Sequence, residues 1–85
     1  MVTRKDIASM FHVELDRVAQ YGRKQLFLVN GDTLVSYRTV IGRRHGSLWQ
    51  LVTKYYSNTT RGQVAWFIKN VAREYVMIDS LWLID

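Results

Sequence analysis

At 85 residues, 48% hydrophobic and 22% charged, the chain is long enough for one domain with a modest core and too apolar to stay disordered. It has no cysteine, which excludes disulfides, thiolate nucleophiles and cysteine-based metal or iron–sulfur sites. Its 12 Lys and Arg outnumber 7 Asp and Glu, a net charge of +5 that favours anionic partners over cationic ones.

In chain order, residues 3–21 read as one amphipathic helix. Thr3 and Asp6 fit a capping box, and Ile7, Met10, Phe11, Leu15 and Val18 recur at helical spacing up to a stop at Gly22. A helix-turn-helix would need a second helix from about Val13. No turn glycine separates the two halves, so one continuous helix is expected. Residues 25–29 are a short apolar strand, and Asn30-Gly31 is a strong hairpin signal because both residues tolerate positive φ. Residues 33–43 read as a second strand, Gly42 to Gly46 as a turn carrying Arg43, Arg44 and His45 at its tip, and residues 47–56 as a third strand. Strand alternation groups Tyr37 with Val35 and Ile41, and Trp49 with Leu51 and Tyr55, so these rings read mainly as core.

After the polar break at 57–60, a second capping box at Thr60 and Gln63 opens a helix whose stripe is Val64, Phe67, Ile68, Val71, Ala72 and Tyr75. Residues 76–84 read as one or two short strands joining the sheet, with helix continuation to about 79 as the alternative. The expected fold is α+β: helix, three-stranded antiparallel meander, helix, short C-terminal strand or strands. Both helices are expected on one face of the sheet, in a single domain over residues 1–85. Residues 1–20 are too charged for a signal peptide, and no run approaches the ~20 apolar residues of a membrane span.

Chemistry is sparse. His12 and His45 stand apart, with no Cys and no Ser at a motif spacing, and the glycines form no phosphate loop. Two distant histidines and scattered carboxylates do not make a metal site. The chain is therefore read as a non-enzyme without cofactor.

The charge distribution is more telling. Residues 33–73 contain no Asp or Glu, yet carry Arg38, Arg43, Arg44, Lys54, Arg61, Lys69 and Arg73. A long segment of one sign makes a field that attracts phosphates or acidic surfaces, provided that its cations share a face. The strand-to-helix junction at Thr59, Thr60 and Arg61 offers hydroxyls and amides for an anion, or a capped loop satisfied from within. Trp49 and Tyr55 are the candidate aromatic contacts.

The stretch Leu34 to Gly42, containing Ser36-Tyr37-Arg38-Thr39-Val40, followed by Tyr55 to Thr60, resembles a family of small proteins encoded by bacteriophages and plasmids. That family carries an "SYxTxV" strand and then a "YSxTTSxH" segment, and the resemblance covers residues 34–67. Arg61 and Gln63 depart from it, standing where the family has Ser and His. The resemblance implies a mobile-element origin and a host-directed protein, and supplies no activity; the lack of cysteine suits a reducing cytoplasm, so a location in the host-cell cytoplasm is expected. Three readings follow. The first is an accessory protein that binds nucleic-acid backbone through a basic face. The second is an inhibitor of a host protein, such as a defence or transcription factor, with exposed aromatics such as Trp82 or Trp49 as anchors. The third is capture of a small phosphorylated signal at Thr59-Thr60-Arg61. A homo-oligomer, with Leu81 to Ile84 as a contact, is compatible with each.

Overall fold

The structure is a computed structural model and describes residues 1–21, 25–52 and 58–78. It is an α+β fold. Helix α1 (Arg4–Phe11) and a single 3-10 turn (Leu15–Arg17) lead into strands β1 (Val18–Gln20), β2 (Leu26–Val29), β3 (Thr33–Ser36), β4 (Thr39–His45) and β5 (Leu48–Val52). Helix α2 (Asn58–Asn70) then connects to β6 (Glu74–Ile78). Among the described residues the sheet has six strands in sequence order, with every neighbouring pair antiparallel except β5 and β6. That last pair is parallel because α2 carries the chain back across the sheet, as a parallel connection requires.

The N-terminal capping box forms as expected: Asp6 N–H donates to Thr3 Oγ1, and Thr3 N–H donates to Asp6 Oδ2. The helix is far shorter than residues 3–21. His12 closes it in the left-handed region at φ 55°, its N–H donating to the carbonyls of Ala8 and Ser9. The Arg4 guanidinium then donates to the carbonyls of Val18 and Leu15 and folds the chain back on α1. Val18 still lands in the core, but on β1, and Leu15 is exposed. The proposed stop at Gly22 lies outside the described residues. The backbone and hydroxyl of Thr3 both favour the charged form of Asp6 and hold its carboxyl below the ordinary range. A carboxyl lowered in the folded state stabilises above its unfolded pKa and loses that contribution as pH falls through the folded one. We expect the Asp6 carboxyl resonance to titrate below its value in a short peptide, and Asp6→Asn to abolish the pH-dependent loss of α1 helicity below about pH 4.

The meander is larger than expected, and its turns fall elsewhere. Asn30 (φ 53°) and Gly31 (φ 72°) do make the β2–β3 turn. The run 33–43, however, is two strands, broken by a two-residue turn at Tyr37-Arg38 with Tyr37 at φ 55°. Tyr37 is therefore exposed at a hairpin tip and not in the core. The expected turn at 42–46 moves to Gly46 and Ser47, so that Arg43, Arg44 and His45 belong to β4. Gly42 is buried mid-strand because β5 approaches too closely for a side chain: an added Cβ would lie 2.7 Å from Leu51 Cδ2 and 3.3 Å from the Gln50 carbonyl oxygen.

The helices pack on opposite faces, not on one. Successive residues of β2 and β3 alternate between two cores. Leu26 and Leu34 join Ile41, Trp49, Leu51, Val64, Phe67 and Ala72 on the α2 side. Phe27, Val29 and Val35 join Ile7, Ala8 and Val18 on the α1 side. A bulge between β3 and β4 leaves Ile41 without a partner, so Val40 serves the α1 side and Ile41 the α2 side. Each of the large buried side chains contributes roughly 1.5–3 kcal/mol by leaving water. On the α2 side Phe67 sits edge-on to Trp49 at 4.7 Å and to Tyr21 at 5.7 Å, while Tyr21 also meets Trp66 at 5.4 Å. Burial pushes the Tyr21 phenol up.

The last strand forms, and helix continuation to 79 does not occur: β6 begins at Glu74, four residues after α2 ends at Asn70. Tyr75, expected in the helical stripe, is an exposed strand residue. The expected strand content of 79–84 lies outside the described residues. Among the described residues no helix is long and apolar enough to cross a membrane.

Candidate functional site

Strand register sorts the cations of the acid-free interval into two groups. The first lies at the end of the sheet that carries the Asn30-Gly31 and Gly46-Ser47 turns. Arg43 pairs with Gln50 on the α1 side, and Arg44 with Trp49 on the α2 side, so neighbouring guanidiniums leave β4 from opposite faces. Arg73 precedes Glu74, which is in register with Leu48, itself paired with His45. That row spans two strand spacings, about 10 Å. Helix α2 begins beside Ser36 and runs 13 residues, roughly 20 Å, toward the same end, which brings Lys69 there. All four cations are exposed.

The second group lies at the opposite end. Arg38 is in the Tyr37-Arg38 turn, with Nη1 3.9 Å from Met10 Sδ, and Arg61 is exposed in the first turn of α2. Among the described residues these cations occupy two ends of the sheet, four at one and two at the other, where the sequence reading expects one shared face. Lys54 and Tyr55 lie outside the described residues.

The four-cation end has a defined local geometry. Arg44 bridges two turns, its Nε donating to the Gly31 carbonyl at 3.1 Å and its Nη1 to the Gly46 carbonyl at 2.9 Å. Its backbone N–H donates to the Asp32 carbonyl at 2.8 Å. Arg44 therefore spends much of its hydrogen-bonding capacity holding the sheet end together, while still placing a positive charge there. A shallow cleft of about 220 Å³ is lined by Asp32, Thr33, Arg43, Arg44 and His45. Asp32 accepts the Thr33 hydroxyl at 3.0 Å, and Glu74 accepts the Ser47 hydroxyl at 2.9 Å. These two carboxylates temper the field at this end.

The Thr59-Thr60-Arg61 junction takes a structural role at its centre. Helix α2 starts at Asn58, two residues before the expected cap, so Thr60 and Gln63 lie within the helix. Both are buried. The Ser36 hydroxyl lies 3.4 Å from Thr60 Oγ1 and makes a short hydrogen bond to Gln63 Oε1. These contacts tie β3 to α2 across 24 to 27 residues of sequence. Thr59 remains exposed. Trp49 is only 5% exposed and packs against Phe67, so it is a core ring and not a stacking surface.

Sequence reading missed two features. Gln25 is buried, adopts φ 63°, and its amide pairs with both the N–H and the carbonyl of Val2, like a short piece of ladder. Gln50 sits on the sheet face opposite α2, beside Arg43 in register, with its Oε1 buried and without a hydrogen-bond partner. A glutamine inside the apolar run Leu48-Trp49-Gln50-Leu51-Val52 was the only signal of the second. Among the described residues no group of three or more His, Asp or Glu could hold a metal ion. Searches against protein-family models, curated proteins and solved structures find no match for the chain.

Proposed function

We propose that this protein is a non-catalytic binding module for an anionic partner, most simply nucleic-acid backbone, which it meets with the sheet end bearing Arg43, Arg44, Lys69 and Arg73. The observation that carries this reading is that these four exposed cations share one end of the sheet, Arg44 and Arg43 on opposite faces of β4, Lys69 at the end of α2 and Arg73 just before β6. Guanidiniums suit phosphate because they present paired donors in one plane. Backbone contact of this kind positions a protein without reading sequence. Discrimination among nucleic-acid sequences is accordingly weak.

The test is a comparison of two sets of substitutions by fluorescence anisotropy with a short labelled oligonucleotide. The triple variant Arg43→Ala, Lys69→Ala, Arg73→Ala should lose most binding and lower the salt slope by about 3, close to one unit per contact removed. The double variant Arg38→Ala, Arg61→Ala, at the other end, should bind nearly as the parent does. Equal losses in both sets would show that net charge matters and the site does not.

A further inference from the structure

Among the described residues strand β6 is the edge of the sheet, and side chains on both of its faces are exposed. Tyr75 is 46% exposed, Val76 41% and Met77 43%, while neighbouring Leu48 and Val71 are 36% and 37% exposed. In register with Trp49 and Leu51, Tyr75 and Met77 lie on the α2 side; Val76, in register with Gln50, lies on the other. Natural edges are normally protected by proline, lysine, a bulge or an inward-pointing charge. β6 has none of these. Its one charged residue, Glu74, is at the first position and is engaged by Ser47. Apolar exposure on both faces calls for an occupant that also presents two apolar faces, namely another strand.

We infer that β6 pairs antiparallel with β6 of a second copy of this chain, about a two-fold axis at Val76, so that two six-stranded sheets become one. The strand is its own complement in that register. Val76 meets Val76 of the second copy, and Tyr75 meets Met77, a sulfur–aromatic contact formed twice on the α2 side. Glu74 falls opposite Ile78, which keeps the two carboxylates about 13 Å apart along the strands. Pairing also places the four-cation ends at diagonally opposite corners, so the two positive fields do not face each other. Nucleic acid is a poor occupant for this edge, because β6 carries no cation.

Sedimentation velocity at micromolar concentration should give twice the chain mass, in high salt and in nuclease-treated protein alike. That persistence separates this inference from the anion-binding reading, whose complexes salt disperses. Val76→Lys sets like charges against each other at the axis and should give a monomer with unchanged circular dichroism. Mixing it with Val76→Glu should restore the dimer, which shows that the lysine variant is folded. The chain lacks cysteine, so register can be read directly. Val76→Cys should oxidise to a disulfide-linked dimer, since directly opposed antiparallel residues lie about 4.5–5.5 Å apart, within disulfide reach. Tyr75→Cys alone should not, but should cross-link when mixed with Met77→Cys. A monomeric parent, a dimer unaffected by Val76→Lys, or equal cross-linking at Tyr75 alone would overturn the inference.

Discussion

Phe67→Ala is expected to cost about 3–5 kcal/mol and to leave the protein partly unfolded at room temperature. Phe67 is fully buried at the centre of the α2-side core, and both Trp49 and Tyr21 set their rings edge-on against it. Its removal takes away the transfer energy of one aromatic ring and leaves a cavity that these neighbours fill only in part. The geometry-dependent part of the two aromatic contacts, about 0.5–1.5 kcal/mol each, is lost as well. A domain this small has the low end of the ordinary range of roughly 5–15 kcal/mol to lose, so the urea midpoint should fall by about a third or more. A midpoint shift worth less than about 1 kcal/mol would mean that Phe67 is not the keystone of that core.

Gly42→Val should be nearly as damaging, by the opposite mechanism. Here the added atoms have nowhere to go: the first would meet Leu51 Cδ2 at 2.7 Å, the Gln50 carbonyl oxygen at 3.3 Å and Leu34 Cβ at 3.4 Å. Leu51 can turn away, but it is fully buried, and the Gln50 oxygen belongs to the β5 backbone. Overpacking of this kind costs typically about 1–3 kcal/mol. The larger consequence is local, since β4 and β5 would have to separate next to the bulge at Ile41. Thermal melts of Gly42→Ala and Gly42→Val should show graded losses, with valine the worse. Equal stability of the valine variant and the parent would contradict the close approach of these two strands.

Several parts of this fold are legible in the sequence because their signals are local. Thr3 with Asp6 specifies the first helix start, and Asn30-Gly31 specifies a hairpin, in both cases through the chemistry of two residues. The apolar stripe Val64 to Ile68 likewise marks α2. Other parts depend on contacts that no short window contains. His12 ends α1 without glycine or asparagine, helped by an Arg4 guanidinium that reaches two carbonyls of residues eleven and fourteen positions on. Tyr37 takes a positive φ at a hairpin, and its N–H is received by the carbonyl of Gln25, just before β2. Gly42 looked like a turn residue and is instead a packing requirement. Placing both helices on one face failed for a related reason: β2 is apolar at all of its positions, and such a run signals burial on two faces, here under two separate helices.

The candidate site shows the same division. The absence of acids from residues 33–73 is visible at once, but a linear interval does not dictate a surface. Alternation along β4 sends Arg43 and Arg44 to opposite faces, and the eight-residue step along α2 from Arg61 to Lys69 separates them by about 12 Å. Four cations nonetheless share one end of the sheet because β4, the end of α2 and the start of β6 all reach it. Thr60, which read as an anion ligand or a cap, is consumed by the core with Ser36 and Gln63.

The most direct test of the central claim is the salt dependence of oligonucleotide binding by the unaltered protein. Three to four phosphate contacts at the Arg43, Arg44, Lys69 and Arg73 end predict a log–log slope near −3 and a loss of affinity on the order of a hundredfold between ~50 and ~200 mM salt. A slope near zero, or no binding at the lower salt, would contradict it.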